Sequence, residues 1–253
     1  MELGIAGKVI VVTGGGSGHG ATMAEALARE GAVVAVADLD GESARMVCER
    51  IASSGGRCAA YQIDITHPEV VETMMQDVAH RFGALDVLVN NACAPIRRVP
   101  FSQMDLAEWL RVIEVNLTGT FICSQSAARI MLKQKAGRMI NISSFSANVP
   151  AAGFAAYSAS KAGIEALSRT VAGELGKSGI STVFVRPGVM ETERTKPQHE
   201  GAVGERMRAP IAIDRFGTSG ELANLIVFLA SDAASYINGG PIPIDGGKYA
   251  IQL

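Results

Sequence analysis

The stretch Val9-Ile10-Val11-Val12-Thr13-Gly14-Gly15-Gly16-Ser17-Gly18-His19-Gly20 decides the fold. It starts as an apolar, β-branched run, passes through a glycine-rich turn and enters a helical segment at residues 21–30. Glycines let the chain turn tightly and leave backbone N–H groups open, and the first turn of a helix carries partial positive charge. A glycine turn alone is weak evidence. Between a strand and a helix it predicts a site for the pyrophosphate of a dinucleotide.

The rest of the chain alternates short apolar segments with longer helical ones. Strands are predicted at residues 9–13, 33–37, 58–63, 87–89, 138–142, 181–185 and 241–244. Helices are predicted at residues 21–30, 42–53, 68–82, 106–134, 155–177 and 221–230. Strands that are apolar throughout are buried on both faces, as in a parallel sheet between two layers of helices. The sequence therefore predicts an α/β fold of the Rossmann type, in which a single domain over residues 1–253 holds a doubly wound, seven-stranded parallel sheet.

The final strand carries Pro241 and Pro243. Residues two apart in a strand direct their backbone nitrogens to the same side, so both missing N–H groups fall on one edge. We therefore expect this strand at the rim of the sheet.

Residues 188–214 show no clear periodicity and are rich in charge. A stretch of this length without a pattern in a compact domain is usually a functional lid or a mobile segment. It follows the carboxyl end of a strand, where open α/β sheets bind their ligands. We expect a substrate lid here, with a solvated surface excursion as the alternative.

The composition excludes several classes of protein. Hydrophobic residues make up 48% of the 253 and charged residues 19%, which predicts a globular protein with a large core. A formal net charge of -2 without basic runs gives no reason to expect a nucleic-acid partner. The amino terminus lacks the features of a signal peptide, and the apolar runs are too short to span a membrane. We expect a soluble, cytoplasmic protein with no membrane partner.

Cysteines and histidines are scattered. Cys48, Cys58, Cys93 and Cys123 form no C-x-x-C pair, and the four histidines form no cluster. We interpret the cysteines as free thiols in a reducing cytosol, and we expect no metal site.

Asp38 ends the second predicted strand, 24 residues after Gly14. A carboxylate there can accept hydrogen bonds from both hydroxyls of an adenosine ribose, and it would repel a 2′-phosphate. Two like charges about 4 Å apart cost a few kcal/mol in a partly buried site. The neighbouring Gly15, Gly16 and Leu39 offer no basic group to offset this cost. These residues favour NAD(H) over NADP(H).

Tyr157 and Lys161 lie four residues apart, on one face of a predicted helix. A lysine cation, together with oxidised nicotinamide, would lower the pKa of a phenol from about 10 toward the working range. Such a pair alone arises often by chance.

With its other motifs, the chain resembles the classical short-chain dehydrogenases/reductases along essentially its whole length. The motifs appear in order as Thr13-Gly14-x-x-x-Gly18-x-Gly20, Asp64, Asn90-Asn91-Ala92, Asn116, Ile142-Ser143-Ser144, Tyr157-x-x-x-Lys161, Pro187-Gly188 and Asp245-Gly246-Gly247.

The resemblance implies a hydride transfer between a nicotinamide and a secondary alcohol or ketone. It implies that Ser144 polarises the substrate oxygen and that Tyr157 exchanges a proton with it. Lys161 would hold the nicotinamide ribose and lower the pKa of Tyr157, and Asn116 would anchor a water relay from Lys161. The residues implied to bind the cofactor are Gly14, Ser17, Gly18, His19, Gly20, Asp38, Leu39, Asp64, Ile65, Asn90, Ala92, Tyr157, Lys161, Pro187, Gly188, Met190 and Thr192.

Three features depart from the family pattern. His19 replaces the usual aliphatic residue beside the pyrophosphate, and it either donates to phosphate or simply packs. Cys93 replaces the glycine that ordinarily follows Asn-Asn-Ala, and it either crowds the cofactor or packs as a small hydrophobe. Arg97 and Arg98 follow that loop; if one reaches the substrate it favours an acidic compound, and otherwise both are solvated. Other candidates for the pocket wall are Pro95, Ser146, Asn148, Phe154 and Met190.

Alternative functions remain at this point. One is a non-catalytic NAD sensor or scaffold, which would be expected to have lost part of the Ser144, Tyr157 and Lys161 set. Another is an NADP-linked 3-oxoacyl-type reductase. The resemblance also implies a homotetramer.

Overall fold

The computed structural model of the chain describes residues 3–95, 97–192 and 195–248. Its strands are β1 (Val9–Thr13), β2 (Val33–Asp38), β3 (Arg57–Gln62), β4 (Val87–Asn90), β5 (Gly137–Ile142), β6 (Ile180–Pro187), β7 (Met190–Glu191), β8 (Gly217–Thr218) and β9 (Pro241–Ile244). Its α-helices are α1 (Gly18–Arg29), α2 (Gly41–Ser53), α3 (Pro68–Phe82), α4 (Leu106–Ile113), α5 (Gly119–Gln134), α6 (Ala155–Leu175), α7 (Gly201–Arg208) and α8 (Ser219–Ala230).

Seven strands form one parallel sheet in the order β3-β2-β1-β4-β5-β6-β9. The doubly wound sheet predicted from the sequence is therefore confirmed. The order reverses between β1 and β4, so the connections that leave these two strands diverge and open a crevice at their carboxyl ends. Strand β9 pairs with β6 and lies at the rim of the sheet, as its two prolines predict.

Alternate residues of β1 supply two separate cores. Ile10 and Val12 pack with residues of α1, α2 and α8 on one face of the sheet. Val9 and Val11 pack with residues of α3 and α5 on the other face. Complete burial of a valine or isoleucine contributes roughly 1.5–3 kcal/mol, so an apolar side chain is favoured at each of residues 9–12 of this strand.

The long helix predicted at residues 106–134 is interrupted. Residues Glu114–Thr118 form a π-helical turn between α4 and α5. In this turn the hydroxyl of Thr120 donates to the carbonyl of Asn116 at 2.7 Å. Single π turns of this kind occur frequently at functional sites, and periodicity alone does not reveal them.

Residues 188–214 hold more regular structure than the sequence pattern suggested. Strand β7 lies within this segment and pairs with β8, and α7 follows it. Helix α7 ends at Arg208, whose guanidinium forms an ion pair with the carboxylate of Asp214 at 3.2 Å.

Cys48 and Cys58 form a disulfide, which corrects the expectation of four free thiols. Helix α2 packs back along β3, and this brings the two Cα atoms within 5.4 Å although ten residues separate them. Sequence spacing alone does not show that return. Cys93 is exposed and Cys123 buried, and both are free. The cysteines therefore no longer support the expectation of a reducing compartment.

Within the three described ranges, none of the helices is both long and apolar enough to cross a membrane.

The disulfide gives a direct prediction. In denaturant without reductant, iodoacetamide is expected to label two thiols per chain, and after reduction four. Reduction is also expected to lower the free energy of unfolding by about 2–3 kcal/mol, because the closed loop restricts the unfolded chain. Mass spectrometry and urea titration measure the two effects. Four labelled thiols before reduction would contradict the pairing.

Candidate active site

The glycine turn between β1 and α1 is held in a form that only glycine permits. Gly14 has φ +62°, in the left-handed region. A Cβ atom on Gly20 would overlap the carbonyl oxygen of Gly14, so α1 starts directly against the turn. Ser17 is the N-cap of α1 but makes no side-chain capping bond. The first N–H groups of the helix are therefore available to an anion.

Strand β4 fixes this turn from the other side of the crevice. The hydroxyl of Thr13 accepts hydrogen bonds from the N–H groups of Asn91 at 3.1 Å and Ala92 at 3.2 Å. The amide of Asn91 donates in turn to the carbonyls of Thr13 at 3.1 Å and Gly14 at 3.0 Å. Thr13 and Asn91 belong to the motifs of the sequence, which do not assign them a role. Their hydrogen bonds hold the glycine turn in register with the end of β4.

Asp38 lies at the carboxyl end of β2, beside the glycine turn. Its carboxylate accepts from the N–H of Gly16 at 2.8 Å and from that of Asp40 at 3.0 Å. A Cβ on Gly16 would lie 2.9 Å from the same carboxylate, so only glycine allows this approach. Asp38 is half-buried and Leu39 is exposed. The carboxylate is thus oriented before any ligand binds.

Asp64 and Ile65 follow β3. The carboxylate of Asp64 accepts from the backbone N–H of Thr66 at 2.9 Å and from its hydroxyl at 2.7 Å. The backbone bond is the main reason that the pKa of Asp64 is lowered. Ile65 is buried against Gly119, at the start of α5. The pair forms a fixed corner at one side of the crevice, and its expected contact with the cofactor stays a prediction.

Asn90, the last residue of β4, takes part in an interior hydrogen-bond network. Its side chain is buried and donates to the hydroxyl of Ser124 at 3.0 Å and to the amide oxygen of Asn141 at 2.8 Å. The amide of Asn141 continues this interior network to Ser168 at 2.8 Å. The amide oxygen of Asn90 has no hydrogen-bond partner among the described residues, and the expected contact of Asn90 with the cofactor stays a prediction.

The residues expected to do the chemistry meet where β5 ends against α6. Lys161 is buried, and its ammonium donates to the carbonyl of Ile142 at 2.7 Å and lies 5.7 Å from the ring centre of Tyr157. Burial lowers the pKa of Lys161. The hydroxyl of Ser144 accepts from the N–H of Ser146 at 3.1 Å, and it also hydrogen-bonds to Tyr157. One wall of the site therefore holds Ser144, Tyr157 and Lys161 together.

Asn116 reaches the same wall from the π turn. Its amide oxygen accepts from the N–H of Ala94 at 2.8 Å, and its amide nitrogen donates to the hydroxyl of Ser160 at 3.0 Å. The side chain therefore contacts the residue before Lys161. The water relay from Lys161 stays a prediction.

An ion pair that the sequence did not indicate lies behind Lys161. Glu165, one turn further along α6, is buried and accepts from the guanidinium of Arg186 at 2.7 and 2.5 Å. The hydroxyl of Ser143 donates to the same carboxylate at 2.9 Å. This cluster joins β5, α6 and β6 directly below the reacting groups.

The pKa of Tyr157 is raised in the protein alone, mainly by burial. The negative charge of a Cys93 thiolate raises it further, whereas the hydrogen bond from Ser144 lowers it. This direction is opposite to the one expected from Lys161 and oxidised nicotinamide together. A positive charge beside the phenol is needed to stabilise the phenolate.

The remaining predicted cofactor residues lie beyond β6. The N–H of Gly188 donates to the carbonyl of Ile244 at 2.9 Å, and Met190 is buried in β7. The hydroxyl of Thr192 is 3.1 Å from that of Thr195. His19, at the start of α1, places a ring nitrogen 2.8 Å from the hydroxyl of Ser219. These contacts bring β7 and α8 to the open side of the crevice.

The residues of the crevice fit a dinucleotide. The glycine turn leaves space that Cβ atoms would fill, and the start of α1 has no side-chain cap. The carboxylate of Asp38 is oriented beside them. Across the described residues, no group of three or more histidines, cysteines or acidic residues could hold a metal ion.

A family model described as enoyl-(acyl carrier protein) reductase matches residues 14–248. Together with the sheet and the relatives below, this match shows that the chain belongs to the short-chain dehydrogenase/reductase family.

The similar proteins differ in their named activities. The chain is 36% identical to the 3-oxoacyl-[acyl-carrier-protein] reductase FabG of Aquifex aeolicus, over 98% of this chain and 100% of the relative. It is 39% identical to the cis-4-hydroxycyclohexanecarboxylate dehydrogenase of Sinomonas cyclohexanicum, over 99% and 100%. The crystal structure of NAD+-bound xylitol dehydrogenase superposes with a TM-score of 0.92 at 29% identity, covering 96% of this chain and 99% of that one.

Cys93→Ala tests the influence of the thiol on Tyr157. Loss of the thiol is expected to lower the pKa of Tyr157, because Cys93 raises it. The rate of alcohol oxidation rises as the phenol ionises, so its pH profile is expected to move toward lower pH. Stopped-flow rates across pH measure this shift. Cys123→Ala, a buried thiol in α5, is the control and is expected to leave the profile in place. An unchanged profile in Cys93→Ala would contradict the electrostatic link.

Proposed function

We propose that the protein is an NAD(H)-dependent oxidoreductase that interconverts secondary alcohols and ketones, with Tyr157 as the general acid/base. The observation that carries this proposal is the meeting of Ser144, Tyr157 and Lys161 on one wall of the crevice. A sensor or scaffold protein would have no need to keep all three groups in contact.

The chain's own residues position and move the proton. A bound nicotinamide would supply or accept the hydride. Ser144, fixed by the N–H of Ser146, holds the substrate oxygen next to the Tyr157 hydroxyl. In oxidation Tyr157 takes the hydroxyl proton, and in reduction it returns a proton to the carbonyl oxygen. The ammonium of Lys161 lies beside the ring of Tyr157. Because it donates to the carbonyl of Ile142, it stays in place during both oxidation and reduction.

NAD(H) is proposed over NADP(H) because of Asp38. Its carboxylate is already oriented by Gly16 and Asp40 at the position where an adenosine ribose would lie. A 2′-phosphate would bring a second negative charge against it. The NAD+ named for the structurally similar xylitol dehydrogenase agrees with this choice.

Residues 188–214 are proposed to form a lid over the substrate. His199 makes one contact to a residue outside this segment, Phe216, and one to a residue within it, Glu191. The ring of His199 packs on Phe216 with centres 4.4 Å apart, and its Nδ1 lies 3.7 Å from the carboxylate of Glu191. Residues Glu193 and Arg194 of the predicted lid lie outside the described ranges.

A 3-oxoacyl-type reductase is the second candidate. It is favoured by the name of the Aquifex aeolicus relative, which aligns along its entire length. Because the two candidates share Tyr157, they are separated by substrate and cofactor and not by the acid/base.

A panel of alcohols, ketones and a 3-oxoacyl thioester, each with NAD(H) and NADP(H), tests the proposal. Tyr157→Phe is expected to lower turnover by about 100-fold or more, because it removes the proton that is exchanged. Asp38→Asn is expected to weaken the preference for NAD(H), whereas Asp40→Asn, which caps α2, is expected to retain it. A thioester preference with NADPH would establish the second candidate. Bound NAD without turnover of any compound would favour a sensor.

A homotetramer is also proposed from the family resemblance. Exposed apolar side chains on α4 and α5, among them Leu106, Leu110 and Phe121, are available for such contacts. Light scattering at micromolar concentration is expected to give four times the mass of the 26.4 kDa chain. A monomeric mass would rule this assembly out.

A further inference from the structure

Arg97 and Arg98 lie in the loop that follows β4, and their contacts differ. Arg98 packs along Gly153, donates to the carbonyl of Ala152 at 3.1 Å and stacks 6.0 Å from the ring centre of Phe154. It therefore links the loop after β4 to the loop before α6. Arg97 instead lines a pocket that it shares with Tyr157.

This pocket has a small and largely apolar wall. Its interior volume is only about 10 Å³, about the space of one water molecule, so a ligand would lie mainly in the part of the pocket that opens to solvent. Its polar side chains are Arg97, Glu108 and Tyr157. The apolar lining consists of Ala94, Pro95, Met104, Val112, Phe154 and Ala156.

The charges around the pocket favour an anion beside Arg97. Glu108 is held by the guanidinium of Arg111 at 2.9 and 3.0 Å, and that bond is the main reason its pKa is lowered. The carboxylate of Asp105 accepts the N–H of Glu108 at 2.7 Å as the N-cap of α4, and Asp105 does not line the pocket. Glu108 is thus ionised and forms an ion pair with Arg111. Arg97 is close enough to Glu108 to lower its pKa, but among the described contacts the guanidinium of Arg97 donates to no carboxylate.

We propose that Arg97 binds the carboxylate of the substrate, which is a compact hydroxy acid or oxo acid. Its alcohol or ketone carbon would lie at Tyr157, and its apolar body would separate that carbon from the carboxylate and contact the wall around Phe154. A guanidinium matches a carboxylate with two parallel N–H donors, and the apolar wall beside it reduces the competition from water. The proposal rests on the reaction assigned above to Tyr157.

Binding can be measured apart from turnover. Trp109 is the single tryptophan of the chain and packs against the cluster of Ala94, Val112 and Ala156 that forms part of the pocket wall. Its fluorescence is therefore a local reporter. Cyclohexanecarboxylate and cyclohexanecarboxamide differ in charge but hardly in shape, and each is titrated with and without NAD+.

The wild-type protein is expected to bind the carboxylate on the order of tenfold more tightly than the amide, a preference limited by the exposure of Arg97. Arg97→Gln is expected to abolish that preference and leave the affinity for the amide unchanged. Arg98→Gln, the matched control, is expected to keep it. Equal binding of acid and amide by the wild type, or a preference that survives Arg97→Gln, would overturn the proposal.

Turnover separates this inference from the proposed reaction. The probes are 4-hydroxycyclohexanecarboxylate and the corresponding amide, with xylitol as a neutral polyol, and the same preference is expected in kcat/KM. Oxidation of amide or xylitol as fast as of the acid, still dependent on Tyr157, would overturn the role of Arg97 and leave the reaction standing. Carboxylate binding that depends on Arg97 without oxidation of any probe would support the site and count against the reaction.

Discussion

The complete burial of β1 is the constraint on which the other features depend. A strand with apolar side chains on both faces needs helices above and below, and neighbours on both edges to satisfy its backbone. The chain meets these needs by placing β2 on one side and β4 on the other, with the connections running in opposite directions. The crevice at the carboxyl ends follows from that arrangement. The glycine turn lies there because it is the immediate continuation of the buried strand.

The two halves of the sheet contribute different chemical groups to the site. The half from β1 to β3 presents backbone N–H groups and the carboxylate of Asp38, which are suited to hold a ligand. The half from β4 to β6 presents Ser144, Tyr157 and Lys161, which are suited to move a proton. The hydrogen bonds between Thr13 and Asn91 join the halves where they meet. Rearrangement of either half would therefore change the position of a ligand in the crevice relative to Tyr157.

Much of this could be predicted from the sequence, because local pattern determines it. Apolar runs identified the seven strands of the main sheet, and the paired prolines identified the rim. What the local pattern could not reveal depends on contacts between distant residues. The Cys48–Cys58 bridge depends on how α2 packs on β3, and the π turn at Asn116 on bonds to Ala94 and Ser160. The interior position of Asn90 depends on Ser124 and Asn141. The raised pKa of Tyr157 reflects burial, to which residue spacing gives no access.

The rim strand β9 has a consequence for how copies of the chain can associate. Ile244 accepts from Gly188 on the side of β6, so the backbone groups of Pro241 and Pro243 face outward. The outer edge of β9 therefore offers carbonyl acceptors but no N–H donors from these two residues. A strand from another molecule would receive no N–H hydrogen bonds from these two residues, which disfavours extension of the sheet at this edge. Copies of the chain that met at this rim would therefore have to pack through side chains and not by adding a strand to the sheet.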